Sequence, residues 1–185
     1  MQHLGKKFAE DIDTLDLYQE WLVCSRRYLT RGDVLQTILS AIKNDNFRLI
    51  ETIKWIEWED QYELLAEWIG GYANYKIVNY ICTNTTIDPM LLMHSCIKRY
   101  RMTVFKKLKQ NIAKEKYPLL TEVCIKNGSV NILKNLVEQE QVYPTDEEIQ
   151  EGLRVNGESR KMMNFLQKLQ ALSARNKRIR GENSR

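Results

Sequence analysis

Pairs of adjacent apolar residues recur along this chain at a nearly fixed interval. That recurrence narrows the folds open to it more than any other feature. The pairs are Leu49-Ile50, Ile77-Val78, Val104-Phe105, Ile132-Leu133 and Met162-Met163, so their first members step by 28, 27, 28 and 30 residues. Three residues beyond each pair stands another apolar residue: Ile53, Ile81, Leu108, Leu136 and Leu166. The spacing i, i+1, i+4 places all three on one stripe of a helix. Eight residues before each pair lie Ala41, Ile69, Cys96, Cys124 and Arg154, followed by Ile42, Gly70, Ile97, Ile125 and Val155. Only the fifth unit loses its apolar residue at the first of these positions, as an end unit with a solvated face would. Polar breaks separate the two halves of each unit: Lys43-Asn44-Asp45, Gly70-Gly71, Lys98-Arg99-Tyr100, Lys126-Asn127-Gly128 and Asn156-Gly157. Asn and Gly suit a helix end because they tolerate positive φ.

The pattern predicts an all-α chain, a solenoid of about five degenerate helix-turn-helix repeats. A helix pair of under 30 residues cannot bury its apolar face alone, whereas stacked neighbours bury one another. An ordinary helical bundle with coincidental spacing is the competing fold. Gly 8 and Pro 3 in 185 residues are too few for an all-β chain, which needs turn residues at short intervals. Residues 1–32 are expected to form an N-terminal capping helix, with Asp11 to Tyr28 amphipathic. Residues 33–172 form the array, and Ser173 to Arg185 a basic, disordered tail. Asp33 is placed to cap the first helix of the array, and Thr145-Asp146-Glu147-Glu148 is a second capping signal.

These residues resemble the ankyrin repeat. The stretch from Val123 to Leu136 is similar to the core of that family's unit, with a Lys126-Asn127-Gly128 turn leading into a helix with paired aliphatics. Ala41 to Ile53 is similar, and Leu92-Met93-His94-Ser95-Cys96-Ile97 lies where the family carries its Pro-Leu-His segment. His94 falls at the family's histidine, which implies an imidazole bracing the local turn. No unit carries Thr-Pro-Leu-His intact, and the period of about 28 is shorter than the family's 33. In style, the degenerate units also resemble arrays in multigene families of large DNA viruses. That implies a protein engaging host factors.

No catalytic constellation emerges. The histidines are His3 and His94, and the cysteines Cys24, Cys82, Cys96 and Cys124 form no CxxC pair. Their spacing matches no zinc site, and Gly70-Gly71 lacks the flanking pattern of a phosphate loop. No enzyme activity, cofactor or metal is therefore expected. Cys96 and Cys124 share the repeat position of Ala41 and read as small core residues. No run of 18 apolar residues and no apolar leader is present, which predicts a reduced, cytoplasmic or nuclear protein with no membrane partner.

The net charge of +4 is mild, but Lys98 to Lys116 carries eight basic residues and one acid, Glu115, between acidic flanks. Two readings stand here: a solvated face pairing with neighbouring acids, or a docking surface for an acidic protein or a phosphate backbone. Trp55 and Trp58 stand between the first two units, as interface anchors or as cover for the seam. The expected function is a non-catalytic protein–protein interaction module whose candidate contact residues are Trp55, Trp58, Arg99, Arg101, Lys106, Lys107 and Lys109. The alternative is nucleic-acid binding through the basic third unit and the tail segment Arg175 to Arg180. A homodimer through the less regular fifth unit is also compatible with the sequence.

Overall fold

The computed structural model describes residues 30–157 and 159–182, the last seven by backbone alone. Every regular element among the described residues is helical. The α-helices are α1 (Arg31–Lys43), α2 (Phe47–Thr52), α3 (Tyr62–Tyr72), α4 (Tyr75–Asn84), α5 (Pro89–Lys98), α6 (Met102–Leu108), α7 (Tyr117–Lys126), α8 (Val130–Glu140), α9 (Asp146–Val155) and α10 (Arg160–Glu182). Short 3₁₀ segments, Trp55–Gln61, Lys109–Asn111 and Lys114–Lys116, lie between α2 and α3 and between α6 and α7. No described helix is long and apolar enough to cross a membrane. The expected capping helix over 11–28 lies outside the described residues.

The ten helices pack in two rows. Successive odd-numbered helices touch, from α1 to α9, and so do successive even-numbered ones, from α2 to α10; each helix also touches its hairpin partner. The apolar pairs supply the core between the rows. Leu49, Ile50, Ile77, Val78, Val104, Phe105, Ile132, Leu133 and Met162 are buried, as are Ile53, Ile81, Leu108, Leu136 and Leu166. Ala41, Ile69, Cys96 and Cys124 are fully enclosed beneath them.

Side-chain caps fix the starts of α1, α2, α4, α5 and α9. The Oδ1 atoms of Asn46 and Asn74 accept from the backbone N–H of Leu49 and Ile77 at 3.1 and 3.0 Å. Thr145 and Glu148 form the expected capping box on α9. The first box differs from expectation. Thr30 is the cap of α1 and Asp33 the reciprocating third residue, so the helix begins at Arg31, before the residue expected to cap it.

Three of the turns share one geometry. Asp45, Tyr100 and Gly128 adopt left-handed φ values of 56°, 57° and 66°. The next residue in each case, Asn46, Arg101 or Ser129, returns its N–H to the carbonyl of Ala41, Cys96 or Cys124 at 2.9, 3.0 and 2.8 Å. This is the Schellman closure, which satisfies carbonyls that a helix end leaves open. Side chains from the following turn satisfy others. Arg101 Nη1 donates to Ala73 O (2.7 Å), Ser129 Oγ to Ile97 O (2.6 Å) and Asn156 Nδ2 to Ile125 O (2.9 Å), each spanning about one sequence period.

Gly70 and Gly71 do not form a turn. Both lie inside α3, which continues to Tyr72, and the chain reverses at Ala73 and Asn74. A Cβ on Gly70 would stand 2.2 Å from Leu92 O, so this glycine serves the close approach of α3 to α5. α10 runs from Arg160 through Ser173 to Glu182, over most of the span read from sequence as the basic tail. At the far end, Gln150, Glu151 and Arg154 expose a polar side of α9. Arg154 is held on Glu151 by bonds of 2.9 and 2.7 Å.

Candidate interaction surface

The structure divides the seven predicted contact residues into two groups. Trp55 and Trp58 are 5% and 7% exposed and belong to the core between the first two hairpins. Trp55 Nε1 donates to Ile50 O at 3.3 Å, the Tyr62 hydroxyl donates to Trp55 O at 3.2 Å, and the Arg31 guanidinium lies 5.2 Å over the Trp58 ring. Neither indole is presented to a partner. The reason is the 3₁₀ segment Trp55–Gln61, which turns both rings inward where a polar loop would leave them out.

Arg101 and Lys109 are likewise engaged internally. Arg101 reaches across to the end of α3, donating to Ala73 O and, at 3.4 Å, to Gly70 O. Lys109 pairs with Glu140, both side chains less than a fifth exposed, and also donates to Asn135 Oδ1 at 3.4 Å. Arg99, Lys106 and Lys107 are exposed. The basic stretch is therefore not one patch.

Arg99 belongs to a cluster that sequence reasoning did not assemble. Its guanidinium carbon lies 5.1 Å over the Tyr72 ring, and Tyr72 packs on Trp68 with ring centroids 5.0 Å apart. Trp68 and Tyr72 are one helical turn apart on α3 and both half-buried, with exposed Glu67 and Lys98 nearby in sequence. Gly71 makes this geometry accessible: the Arg99 Cγ lies 3.4 Å from where a Gly71 Cβ would stand, so the arginine stem lies across α3. The detectable signal was the Trp68–Tyr72 spacing of four, outside the buried stripe Leu65-Ala66-Ile69.

The thiols are placed for packing. Cys96 and Cys124 are fully buried, and Cys96 Sγ lies 3.1 Å from Arg101 O. Burial pushes the Cys96 thiol up to about 12. Cys124 is raised too, by burial first and by its neighbour Cys96 second. A thiol reacts as its thiolate. At pH 8 Cys96 should therefore alkylate roughly 10³-fold more slowly in the folded chain than in denatured chain, from the thiolate fraction alone. Peptide mass analysis after iodoacetamide treatment measures this; equal labelling in both states would refute the buried placement. His94 is half-buried on α5, and burial, followed by Lys98, lowers its pKa. Among the described residues it makes no hydrogen bond to the turn at Tyr100, so the bracing role implied by the ankyrin likeness is not seen. No group of His, Cys, Asp and Glu among the described residues is arranged to hold a metal.

Comparisons with models of known protein families, with characterised proteins and with solved structures yield no match to this chain.

Proposed function

We propose that the chain is an ankyrin-like helical repeat array acting as a non-catalytic docking module, and that it binds a folded protein through the Trp68–Tyr72–Arg99 cluster. The cluster carries this reading. Trp, Tyr and Arg are the residue types that dominate binding energy at protein interfaces, and here they form one stack bridging α3 and α5. The repeat reading is supported by the hairpin order of helix contacts, by left-handed turns at Asp45, Tyr100 and Gly128, and by turn-to-turn bonds near one period. A series of hairpins offers several helices at once to one partner, as repeat proteins do. The likeness in style to arrays of large DNA viruses would make that partner a host protein.

The test is affinity capture from nuclease-treated lysate by the full chain, with Trp68→Ala, Arg99→Glu and Lys43→Glu variants beside it. The expected result is a discrete protein retained by wild type and by Lys43→Glu. It should fall about 5- to 30-fold with either cluster variant, the loss a hot-spot truncation of roughly 1–2 kcal/mol produces. Capture that is indifferent to both cluster variants, or no captured protein at all, would refute the assignment.

A further inference from the structure

The second helix of every hairpin turns an equivalent set of positions outward, and cations predominate in that set. With the apolar pairs superimposed, the position before the pair holds Lys76 on α4 and Lys161 on α10. Two or three residues beyond its first member stand Lys106 and Lys107 on α6 and Lys134 on α8, and one turn further on stands Lys168 on α10. All six are exposed. The acids at corresponding positions are Glu51 and Glu138. None of the six lysines forms an ion pair among the described residues. On the first-helix row Lys126 is paired with Glu122 and Arg154 with Glu151, while Lys43 and Lys98 are exposed at helix ends.

Three of these ammonium groups are held over aromatic rings. Lys76 Nζ lies 3.8 Å from the centroid of Phe47, Lys107 Nζ 5.4 Å from Tyr75, and Lys134 Nζ 5.5 Å from Phe165. Each ring belongs to the adjacent second helix, so the lysines sit over the seams between helices. An ammonium over a ring keeps its charge and loses part of its freedom. The result is a row of restrained point charges. The six lysines stand on four neighbouring helices, which at interaxial spacings of 8–10 Å span roughly 24–30 Å, most of one helical turn of duplex.

We infer that this second-helix face binds the sugar-phosphate backbone of a nucleic-acid duplex, without reading sequence. Charge complementarity names the partner as a polyanion, and the remaining chemistry selects among polyanions. Asn79, Thr103, Asn131 and Asn164 are exposed between the lysines and supply hydrogen bonds of the kind made to phosphate and sugar oxygens. An acidic protein would call for apolar or aromatic anchors, and Phe47, Tyr75 and Phe165 on this face lie beneath lysines. The same covering removes the stacking platforms that single strands need. A membrane surface would call for projecting apolar side chains, and on α4, α6 and α8 the one large apolar side chain that is exposed is Tyr75, at 37% and beneath Lys107. This assignment does not depend on the docking cluster of α3 and α5, which lies on the first-helix row.

The test is fluorescence anisotropy of a labelled 20-base-pair duplex of arbitrary sequence, titrated with the full chain from 50 to 200 mM salt. About five phosphates neutralised predict an affinity that falls roughly 10²- to 10³-fold across that range. Lys106→Glu/Lys107→Glu should weaken binding more than tenfold and flatten the salt dependence, and Lys161→Glu/Lys168→Glu on a separate helix should do the same. Lys43→Glu/Lys98→Glu, an equal charge change on the first-helix row, should alter it less than about threefold, and Trp68→Ala not at all. Circular dichroism verifies that each variant is folded. No binding by wild type at 50 mM salt would overturn the inference. So would equal losses in the first-helix control, or tighter retention on vesicles containing 30% phosphatidylserine than on the duplex.

Discussion

Replacing Gly70 with alanine is expected to destabilise the protein by about 3 kcal/mol, at the upper end of what one added methyl group costs in a packed interior. The added Cβ would stand 2.2 Å from Leu92 O, 3.0 Å from Leu92 C and 2.9 Å from Ser95 Cβ. Two of these three atoms belong to the backbone of α5, so no rotamer change relieves the overlap and the helices must separate. Separation weakens every contact along the α3–α5 seam, including the Arg101 bond to Gly70 O. Alanine's better helix propensity returns only about 1 kcal/mol, so the clash prevails. Gly71→Ala supplies the contrast. Its Cβ would meet the Arg99 Cγ at 3.4 Å, the stem of a flexible exposed side chain. There the propensity gain should dominate, leaving stability unchanged or raised by up to about 1 kcal/mol. Thermal unfolding separates the two, since each kcal/mol moves the midpoint of a chain this size by roughly 2–4 °C. A fall of about 6–12 °C for Gly70→Ala with no fall for Gly71→Ala is the expected pattern. Equal midpoints would mean that α3 and α5 do not approach as closely as described.

The apolar pairs and their partners three residues on were legible because helical periodicity is local: Leu49-Ile50 and Ile132-Leu133 announce their burial within one turn. The Asn127-Gly128 turn was legible for the same reason. Gly70-Gly71 was not, because a glycine needed for helix contact looks the same in sequence as one needed for positive φ. Tyr100 shows the converse. Nothing in its side chain favours a left-handed φ, yet it holds φ 57° within a Schellman closure while its hydroxyl bonds Asn127 O at 2.9 Å, 27 residues away. Trp55 and Trp58 were open to two readings because only tertiary packing decides whether a ring in a connection faces in or out. The run from Lys98 to Lys116 read as one charged block, but its members part company according to what the neighbouring hairpins offer. Arg101 meets open carbonyls and Lys109 meets Glu140, whereas Lys106 and Lys107 meet solvent. The Trp68–Tyr72–Arg99 stack and the lysine row were hidden for the same reason. Each is assembled across helices about one period apart.

Lys109→Met is expected to cost about 2 kcal/mol, below the 3–5 kcal/mol found when one partner of a fully buried ion pair is removed, because this pair keeps some contact with water. The Lys109 and Glu140 side chains are 17% and 16% exposed, so the remaining carboxylate would stay largely out of water without its cation. Asn135, which accepts from Lys109, lies on the same helix as Glu140 and offers its carbonyl oxygen, which cannot replace the ammonium. Tyr117 also feels this acid: burial first and Glu140 second raise its hydroxyl pKa. Tyr117 donates to Lys109 O at 2.9 Å, so the 3₁₀ turn that positions Lys109 is itself tied to α7. Glu140→Leu alone should cost a similar amount, because it strands the ammonium instead. The double variant Lys109→Met/Glu140→Leu should lie within about 1 kcal/mol of wild type, since apolar residues of similar volume often replace a buried pair at no net cost. Urea denaturation of the four proteins closes a double-mutant cycle with a coupling of about 3 kcal/mol or more. Additive losses would show that the pair is solvated and that Lys109 is available to a ligand after all. Strong coupling would place Lys109 in the scaffold, and a charge reversal there would then report on folding, whereas Lys106→Glu/Lys107→Glu reports on the surface.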